Sequence, residues 1–314
     1  MRICSFLPSA TEIVYALGLG DALYGVSHEC DYPSEARRKP RIVRSRFETA
    51  DRSSAEIHRL VADSVSRGEP IYEVDLEVMT QARPDLVITQ ELCDVCAVSA
   101  EDVRHAVASL DPVPRVVSLD PASLGDVLRD IETVGEIVGR VERARELTGD
   151  LQRRIDTVRS MVSDAGASEA GSRPRVACIE WLDPLIVAGH WIPEMVAFAG
   201  GTDGLAEPGA PSRTIDMDEL AGYAPEVLIL MPCGMDVSRG VEEFSRLRNL
   251  EDWRDLPAVR NGRVYAVDAG SLFSRSGPRL VDGLEVMARV VHPDAFPGPP
   301  AEEAARRVGA LSAG

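Results

Sequence analysis

The chain has 314 residues, of which 45% are hydrophobic, and this is enough to bury one large core or two ordinary ones. Its 34 basic and 51 acidic residues give a formal net charge of −17. No cluster of Lys and Arg residues accompanies this acidic balance. The composition therefore argues against a protein that binds nucleic acid or an anionic membrane surface.

The first residues, MRICSFLPSATEIVYALGLG, do not have the pattern of a secretory signal peptide. Ser9, Thr11 and Glu12 interrupt the apolar run, and no small-residue cleavage site follows it. No run of about 20 apolar residues predicts a transmembrane helix. We therefore expect a cytoplasmic protein, or a periplasmic or cell-surface one if the start is truncated. In a reducing cytoplasm, cysteines serve as ligands, nucleophiles or small core residues.

Short apolar runs alternate with helical patterns along both halves of the chain. In the first half we predict strands at 2–6, 22–27, 85–89 and 115–119, with helices at 9–17 and 99–110. In the second half we predict strands at 175–181, 185–189, 227–231 and 263–268, with helices around 192–199 and at 277–291. This alternation predicts an α/β protein with two lobes and mainly parallel sheets.

Two segments of the chain resemble each other. LEVMTQARPDLVITQ (76–90) and MDELAGYAPEVLILM (217–231) both predict a helix, then a proline, an acidic residue and an apolar strand. We interpret them as an internal duplication. The alternative is that this short pattern recurs by chance in α/β proteins.

A long helical region lies between the two halves. Apolar residues recur at helical spacing over 123–139 and 141–162, with Gly139 as the expected break, and a polar loop follows at 163–174. We therefore expect an N-terminal lobe (1–122), a connecting backbone helix (123–163), a C-terminal lobe (174–293) and a loosely ordered tail (294–314).

The expected binding site is a cleft between the lobes, because ligands of open parallel sheets bind beyond the carboxyl ends of the strands. Four polar or cysteine-containing loops follow predicted strands: SHEC (27–30), CDVC (93–96), GHW (189–191) and PCGM (232–235). If the lobes face each other, these loops meet.

One hypothesis for these loops is a metal site. Cys93 and Cys96 have the C-x-x-C spacing that lets two thiolates bind one ion, and His28 and Cys30 would complete a set suited to a zinc or iron centre. Two alternatives remain open, namely thiol redox chemistry and simple packing of the cysteines as small apolar residues.

Several stretches also carry a family likeness: FLPSATEIVYALGLGDALYGVSHECDYP, RPDLVITQELCDVCAV, EWLDP, GHWIPEMVAFAGG and FSRSGPRLVDGLEVMARVVHP. Together they resemble the helical-backbone substrate-binding proteins of iron and vitamin B12 ABC transporters. They are most similar to a cobalamin-binding branch that lacks a signal peptide. The resemblance covers about 1–293. It implies two lobes joined by a helix, with a corrinoid, an iron–siderophore, a haem or a metal ion held between them.

A corrinoid is a broad, largely apolar disc, so its site needs aromatic faces and an axial base for the cobalt. Trp181, Trp191 and Phe273 fall at predicted cleft loops, although only 5% of the residues are aromatic. His190 or His28 would lie near the metal. The alternatives are that Trp181 is a core residue and that these histidines only form hydrogen bonds.

Arg279 would meet a phosphate or propionate of the ligand, or would pair with a surface acid. No nucleophile with an attached base, no P-loop and no dinucleotide fingerprint is found, so we assign no catalytic residues and leave enzymatic activity open. The sequence thus favours a corrinoid-binding protein for storage, trafficking or transport, with an ABC permease as partner if it is exported. The alternative is a metalloprotein, possibly an enzyme, whose ion is held by His28, Cys30, Cys93 and Cys96.

Overall fold

The structure is a computed structural model that describes residues 1–49, 51–90, 98, 100–166, 173–247 and 250–308. Backbone contacts divide the chain into two compact units. Unit 1 comprises Met1–Arg52, Glu56–Pro121 and Gly125–Gly149, and unit 2 comprises Ser53–Ala55, Ala122–Leu124 and Asp150–Gly314. No helix of the described ranges is both long enough and apolar enough to cross a membrane.

Unit 1 is built on a six-stranded sheet with the order β4-β3-β2-β1-β5-β6. Its strands are β1 (Ile3–Ser5), β2 (Leu23–Ser27), β3 (Arg41–Ser45), β4 (Tyr72–Val74), β5 (Leu86–Thr89) and β6 (Arg115–Ser118). All neighbours are parallel except β4, which runs antiparallel to β3. The central strands are fully buried because helices cover them, as is usual for parallel sheets.

The helices of the first half are α1 (Pro8–Ala16), α2 (Ser54–Ser66), α3 (Leu76–Ala82), α4 (Ala100–Ala108) and α5 (Leu124–Ile137), with short 3-10 turns at Gly20–Ala22 and Ser34–Arg38. The chain then passes from unit 1 into unit 2 within α6 (Val141–Asp164), a helix of 24 residues.

Unit 2 contains a second six-stranded sheet, with the order β12-β11-β10-β7-β8-β9. Its strands are β7 (Val176–Leu182), β8 (Leu185–Val187), β9 (Arg213–Thr214), β10 (Val227–Leu230), β11 (Val264–Val267) and β12 (Ala305–Arg307). Strands β7, β10 and β11 are parallel, whereas β8, β9 and β12 pair antiparallel with their neighbours. The core of this unit includes Ile179, Leu228 and Trp253, all buried.

The helices of unit 2 are α7 (Ile192–Phe198), α8 (Met217–Tyr223), α9 (Val237–Leu247), α10 (Glu251–Arg254), α11 (Pro257–Arg260), α12 (Ala269–Leu272) and α13 (Leu280–Val291), followed by a 3-10 turn at Pro293–Ala295. The predicted fold class is confirmed, because each unit is an α/β structure on a sheet with a parallel centre.

The two segments interpreted as a duplication have the same local structure. Helices α3 and α8 each have seven residues, and an aspartate side chain accepts a hydrogen bond from the backbone N–H three residues later at each start. Each helix ends on a non-glycine residue in the left-handed conformation, Arg83 (φ 45°) and Ala224 (φ 52°). A fully buried four-residue strand follows in both cases.

The expected break at Gly139 is present, whereas the ordered part of the tail and the direction of β8 were not expected. The helical region 123–163 is two helices, α5 and α6, because Gly139 lies between them with a φ of 69° that ends the first one. Part of the expected tail is ordered as β12, whose backbone pairs with β11. Strand β8 is antiparallel to β7, since the turn at Asp183 and Pro184 is too short for a crossover.

Candidate functional site

The carboxyl edge of the sheet in unit 1 is lined by hydroxyl side chains. Strands β1, β2 and β3 end at Ser5, Ser27 and Ser45. Each of these hydroxyls bonds to the backbone two residues later: Ser5 Oγ donates to the Leu7 oxygen (2.8 Å), Ser27 Oγ accepts from the N–H of Glu29 (3.3 Å) and Ser45 Oγ accepts from the N–H of Phe47 (3.2 Å). Such turns fix the direction in which each loop leaves the sheet.

Cys30 lies below this edge rather than at it. It is 0% exposed, and its Sγ is 3.1 Å from Thr11 Oγ1, which is 2.9 Å from Ser5 Oγ. Burial raises the pKa of the Cys30 thiol, although hydrogen bonds from Thr11 and Ser27 oppose this. The thiol is therefore a neutral, packed group, which is the packing alternative considered for this cysteine.

His28 follows β2 and is partly exposed. Its Nε2 is 3.9 Å from Glu29 Oε1, and its ring centroid is 5.7 Å from that of Tyr72. Burial, and secondly the charge of Arg41, lowers the pKa of the imidazole. Among the described residues, its buried Nδ1 has no hydrogen-bond partner. The imidazole is thus neutral at pH 7 and carries an unused nitrogen.

Cys93 and Cys96 lie outside the described residues, so the set of four ligands stays a prediction. Within the described part of the chain, no group of three or more His, Cys, Asp or Glu side chains is arranged to hold a metal ion. The predicted zinc or iron centre therefore has no support from these residues.

In unit 2, Trp181 lies near the carboxyl end of β7. Its indole N–H is shared between the backbone oxygens of Ser54 (3.2 Å) and Asp183 (3.1 Å), and the ring is partly exposed. The pairing of β7 with β8 shifts between Ile179 and Trp181, so that Glu180 lies in a bulge. The N–H edge of the Trp181 indole is held by two hydrogen bonds, while part of the ring is accessible.

His190 has an unusual backbone conformation for a residue other than glycine, with a φ of 53°. Its N–H donates to the oxygen of Ala210 (2.6 Å), and its oxygen accepts from the N–H of Gly209 (2.9 Å). Burial lowers the pKa of the imidazole, which is therefore neutral at pH 7. A neutral imidazole nitrogen can bind a metal or accept a hydrogen bond.

Trp191 and Phe273 are brought together, but inside the protein. The indole N–H of Trp191 donates to the backbone oxygen of Phe273 at 2.9 Å. The two residues are only 6% and 2% exposed, respectively. The ring of Trp191 also lies beside that of His190, at 5.8 Å between centroids. Both side chains are therefore buried and present no open face to a ligand in this structure.

Arg279 lies immediately before α13 and is partly exposed.

Ser212 has a role that the sequence analysis missed, because its hydroxyl links the turn before His190 to Glu180. Its partner Gly189 is 23 residues away in the sequence. The only local signal is the turn-forming run GAPS (209–212).

Comparison with known proteins gives a consistent result. A family model described as "Periplasmic binding protein" matches residues 3–270. The chain is 26% identical to the uncharacterized ABC transporter substrate-binding lipoprotein YvrC of Bacillus subtilis, over 94% of this chain and 81% of that protein. It is 24% identical to a vitamin B12-binding protein of Vibrio cholerae, over 90% of this chain and 86% of that protein.

Among solved structures, the fold is similar to that of a periplasmic heme binding protein from Pseudomonas aeruginosa. The TM-score is 0.70 with 20% identity, and the match covers 95% of each chain.

The expectation of a cytoplasmic protein is wrong. The matching family is that of periplasmic binding proteins, and the matched relatives include a substrate-binding lipoprotein of an ABC transporter. The first residues of the chain do not by themselves reveal the compartment in which the protein acts.

Proposed function

Because this chain belongs to the periplasmic binding protein family, whose model matches residues 3–270, we propose that it is the solute receptor of an ABC importer for a corrinoid of the cobalamin type. It acts outside the cytoplasmic membrane, binds the solute reversibly and delivers it to a permease. The similarity to a vitamin B12-binding protein over 90% of the chain supports this choice of solute.

The observation that carries the proposal is the state of His190. Its imidazole is kept neutral by burial, and its backbone is fixed by two hydrogen bonds to the loop at 209–210. A neutral, fixed imidazole is a suitable nitrogen donor for the cobalt of an aquocorrinoid, in exchange for the bound water. A protonated imidazole could not bind the metal.

Trp181 adds a flat surface of the kind that a corrin ring requires. Because its N–H is bonded to two backbone oxygens, the indole is held in one orientation before any solute arrives. An anchor that is already ordered loses little conformational entropy on binding. Replacing such an aromatic anchor by alanine typically costs about 2 kcal/mol of binding free energy.

The test is a visible-absorption titration of the purified protein with aquocobalamin at neutral pH, without added thiols, followed by gel filtration. We expect a saturable spectral change with the cobalamin co-eluting. His190→Ala should abolish the spectral signature of nitrogen ligation, and Trp181→Ala should weaken the affinity about 30-fold. His58→Ala, in the exposed face of α2, is the matched histidine control and should behave as the wild type.

A parallel titration with hemin distinguishes the solute class. Binding of hemin but not of aquocobalamin would replace the corrinoid by a haem while leaving the receptor role intact. Binding of neither would contradict the proposed solute class.

A further inference from the structure

The turn that carries His190 fits closely against a second loop of unit 2. His190 makes two backbone hydrogen bonds to the 209–210 segment. At Gly189 the two segments lie so close that no space is left for a side chain. A β-carbon at Gly189 would lie 2.4 Å from the oxygen of Ala210 and 2.5 Å from Ser212 N. Backbone is therefore packed directly on backbone at this position.

One side chain connects this pair of loops to the sheet. Ser212 Oγ accepts a hydrogen bond from the N–H of Gly189 (3.1 Å) and donates one to Glu180 Oε2 (2.9 Å). The chain of bonds runs from the peptide N–H through the hydroxyl to a carboxylate. Each bond polarises the next, and a charged acceptor makes a hydrogen bond roughly twice as strong as a neutral one.

The two ends of this chain of bonds are fixed independently. Glu180 lies in the bulge of β7, and its backbone oxygen accepts from the N–H of Cys233 after β10 (3.1 Å). At the other end, Gly189 is followed by His190, whose left-handed backbone conformation has to be imposed by its surroundings. The Ser212 hydroxyl thus connects β7 directly to the strained turn at His190.

We infer that Ser212 is a positioning residue for His190: by bonding Gly189 to Glu180, it sets the direction in which the His190 imidazole points. The inference rests on the proposed function only where it predicts solute affinity. It concerns the orientation of the His190 imidazole, and it holds for the free protein as well.

The first measurement is made on the free protein. With histidine side chains labelled with ¹⁵N and ¹³C, the ring signals of His190 are identified by their loss in His190→Gln. We expect Ser212→Ala to shift and broaden these signals, and Ser212→Thr, which keeps the hydroxyl, to restore them. Ser245→Ala is the matched control, since the Ser245 hydroxyl donates to the Val241 oxygen within α9 (2.7 Å).

The second measurement repeats the aquocobalamin titration with the same variants. We expect Ser212→Ala to lose at least fivefold in affinity and to weaken the signature of nitrogen ligation, with Ser212→Thr close to the wild type. If Ser212→Ala is poorly folded, Glu180→Gln removes the charged acceptor while keeping the shape, and should shift the His190 signals in the same direction.

Unchanged His190 signals in a folded Ser212→Ala, or a Ser212→Thr that behaves like Ser212→Ala, would overturn the inference. If the signals move as expected but no form of the protein binds aquocobalamin, the positioning role stands and the proposed solute is wrong.

Discussion

Arg175, immediately before β7, makes the same contacts that Arg2 makes immediately before β1. The backbone N–H of Arg2 donates to Asp85 Oδ2 (2.7 Å), and that of Arg175 donates to Glu226 Oε2 (3.0 Å). The oxygens of both arginines accept backbone N–H groups from the acidic residue and from the residue after it. Both guanidinium groups also donate to a backbone carbonyl at the end of the helix that precedes the acidic residue, which is α3 for Arg2 and α8 for Arg175.

This correspondence extends the likeness between 76–90 and 217–231 to β1 and β7, which lie outside those two segments. A chance recurrence of a helix, a proline and an acid would not reproduce the partner of the acid as well. The two halves of the chain therefore share a common local design, in which the acidic residue after the proline fixes the start of a neighbouring strand.

The helix caps in the two segments predict losses of stability of similar size, although Asp75 also pairs with Arg44 at 3.2 Å. Asp75 Oδ1 accepts from the N–H of Val78 (3.0 Å) and Asp216 Oδ1 accepts from that of Glu219 (2.8 Å). We expect Asp75→Ala and Asp216→Ala each to lower the free energy of unfolding by about 1 kcal/mol. Urea denaturation measures both. Asp63→Ala, at an exposed position inside α2, should change it by less than about 0.5 kcal/mol; a similar loss there would argue against capping.

Glu243 is a buried carboxylate and should matter more than its neighbour Glu242. Glu243 Oε2 accepts from the N–H of Ser54 (2.9 Å), and Oε1 is 3.1 Å from Arg246 and 3.7 Å from Arg239. Its side chain is 2% exposed. Glu243→Ala leaves these donors without their buried acceptor, so we expect a loss of about 3 kcal/mol in the free energy of unfolding.

Glu242 is the matched control for Glu243, because it pairs with the same guanidinium at 2.8 Å but is largely exposed. Solvent screens that pair, and Glu242→Ala should cost less than about 1 kcal/mol. Hydrogen exchange at the Ser54 amide should become faster in Glu243→Ala and remain unchanged in Glu242→Ala. Equal effects of the two substitutions would contradict a special role for the buried carboxylate.

Asp203 should make the stability of the protein depend on pH. Burial raises the pKa of this carboxyl to about 6, although the N–H groups of Leu205 and Ala206 oppose the shift. The pKa in the unfolded chain is near 3.9. The folded form therefore holds the proton more tightly, so the stability from this group is complete below about pH 4 and is lost as the pH rises through 6.

Asp203→Asn should remove this dependence while keeping both hydrogen bonds, since each N–H donates to Oδ1. Relative to the wild type, we expect the variant to gain on the order of 2 kcal/mol in the free energy of unfolding between pH 4 and pH 7. Denaturant titrations at several pH values measure it. Asp218→Asn, on the exposed side of α8, is the control, and a flat difference between Asp203→Asn and the wild type would refute the prediction.

Local patterns in the sequence predicted the elements well. The apolar runs 85–89, 175–181 and 227–231 correspond to β5, β7 and β10, and Gly139 divides two helices as its conformational freedom suggested. These signals are local, because side-chain shape and backbone preference act within a few residues.

The direction of β8 could also have been predicted, although it was not. Two strands joined by a turn as short as Asp183 and Pro184 must run antiparallel, since a parallel connection needs a crossover. By contrast, β12 (Ala305–Arg307) has no apolar signal in its sequence and is held by backbone pairing with β11. It is a strand because the backbone of β11 provides its hydrogen-bond partners.

The sequence by itself determined the α/β class, the family likeness, the succession of elements and the loops that carry Trp181 and His190. Only the tertiary structure decided that Trp191 bonds to Phe273, 82 residues away, with both rings buried, and that Ser212 joins Gly189 to Glu180. Such contacts depend on how whole elements pack, since burial and hydrogen bonding are set by neighbours in space. No spacing within one loop encodes those neighbours.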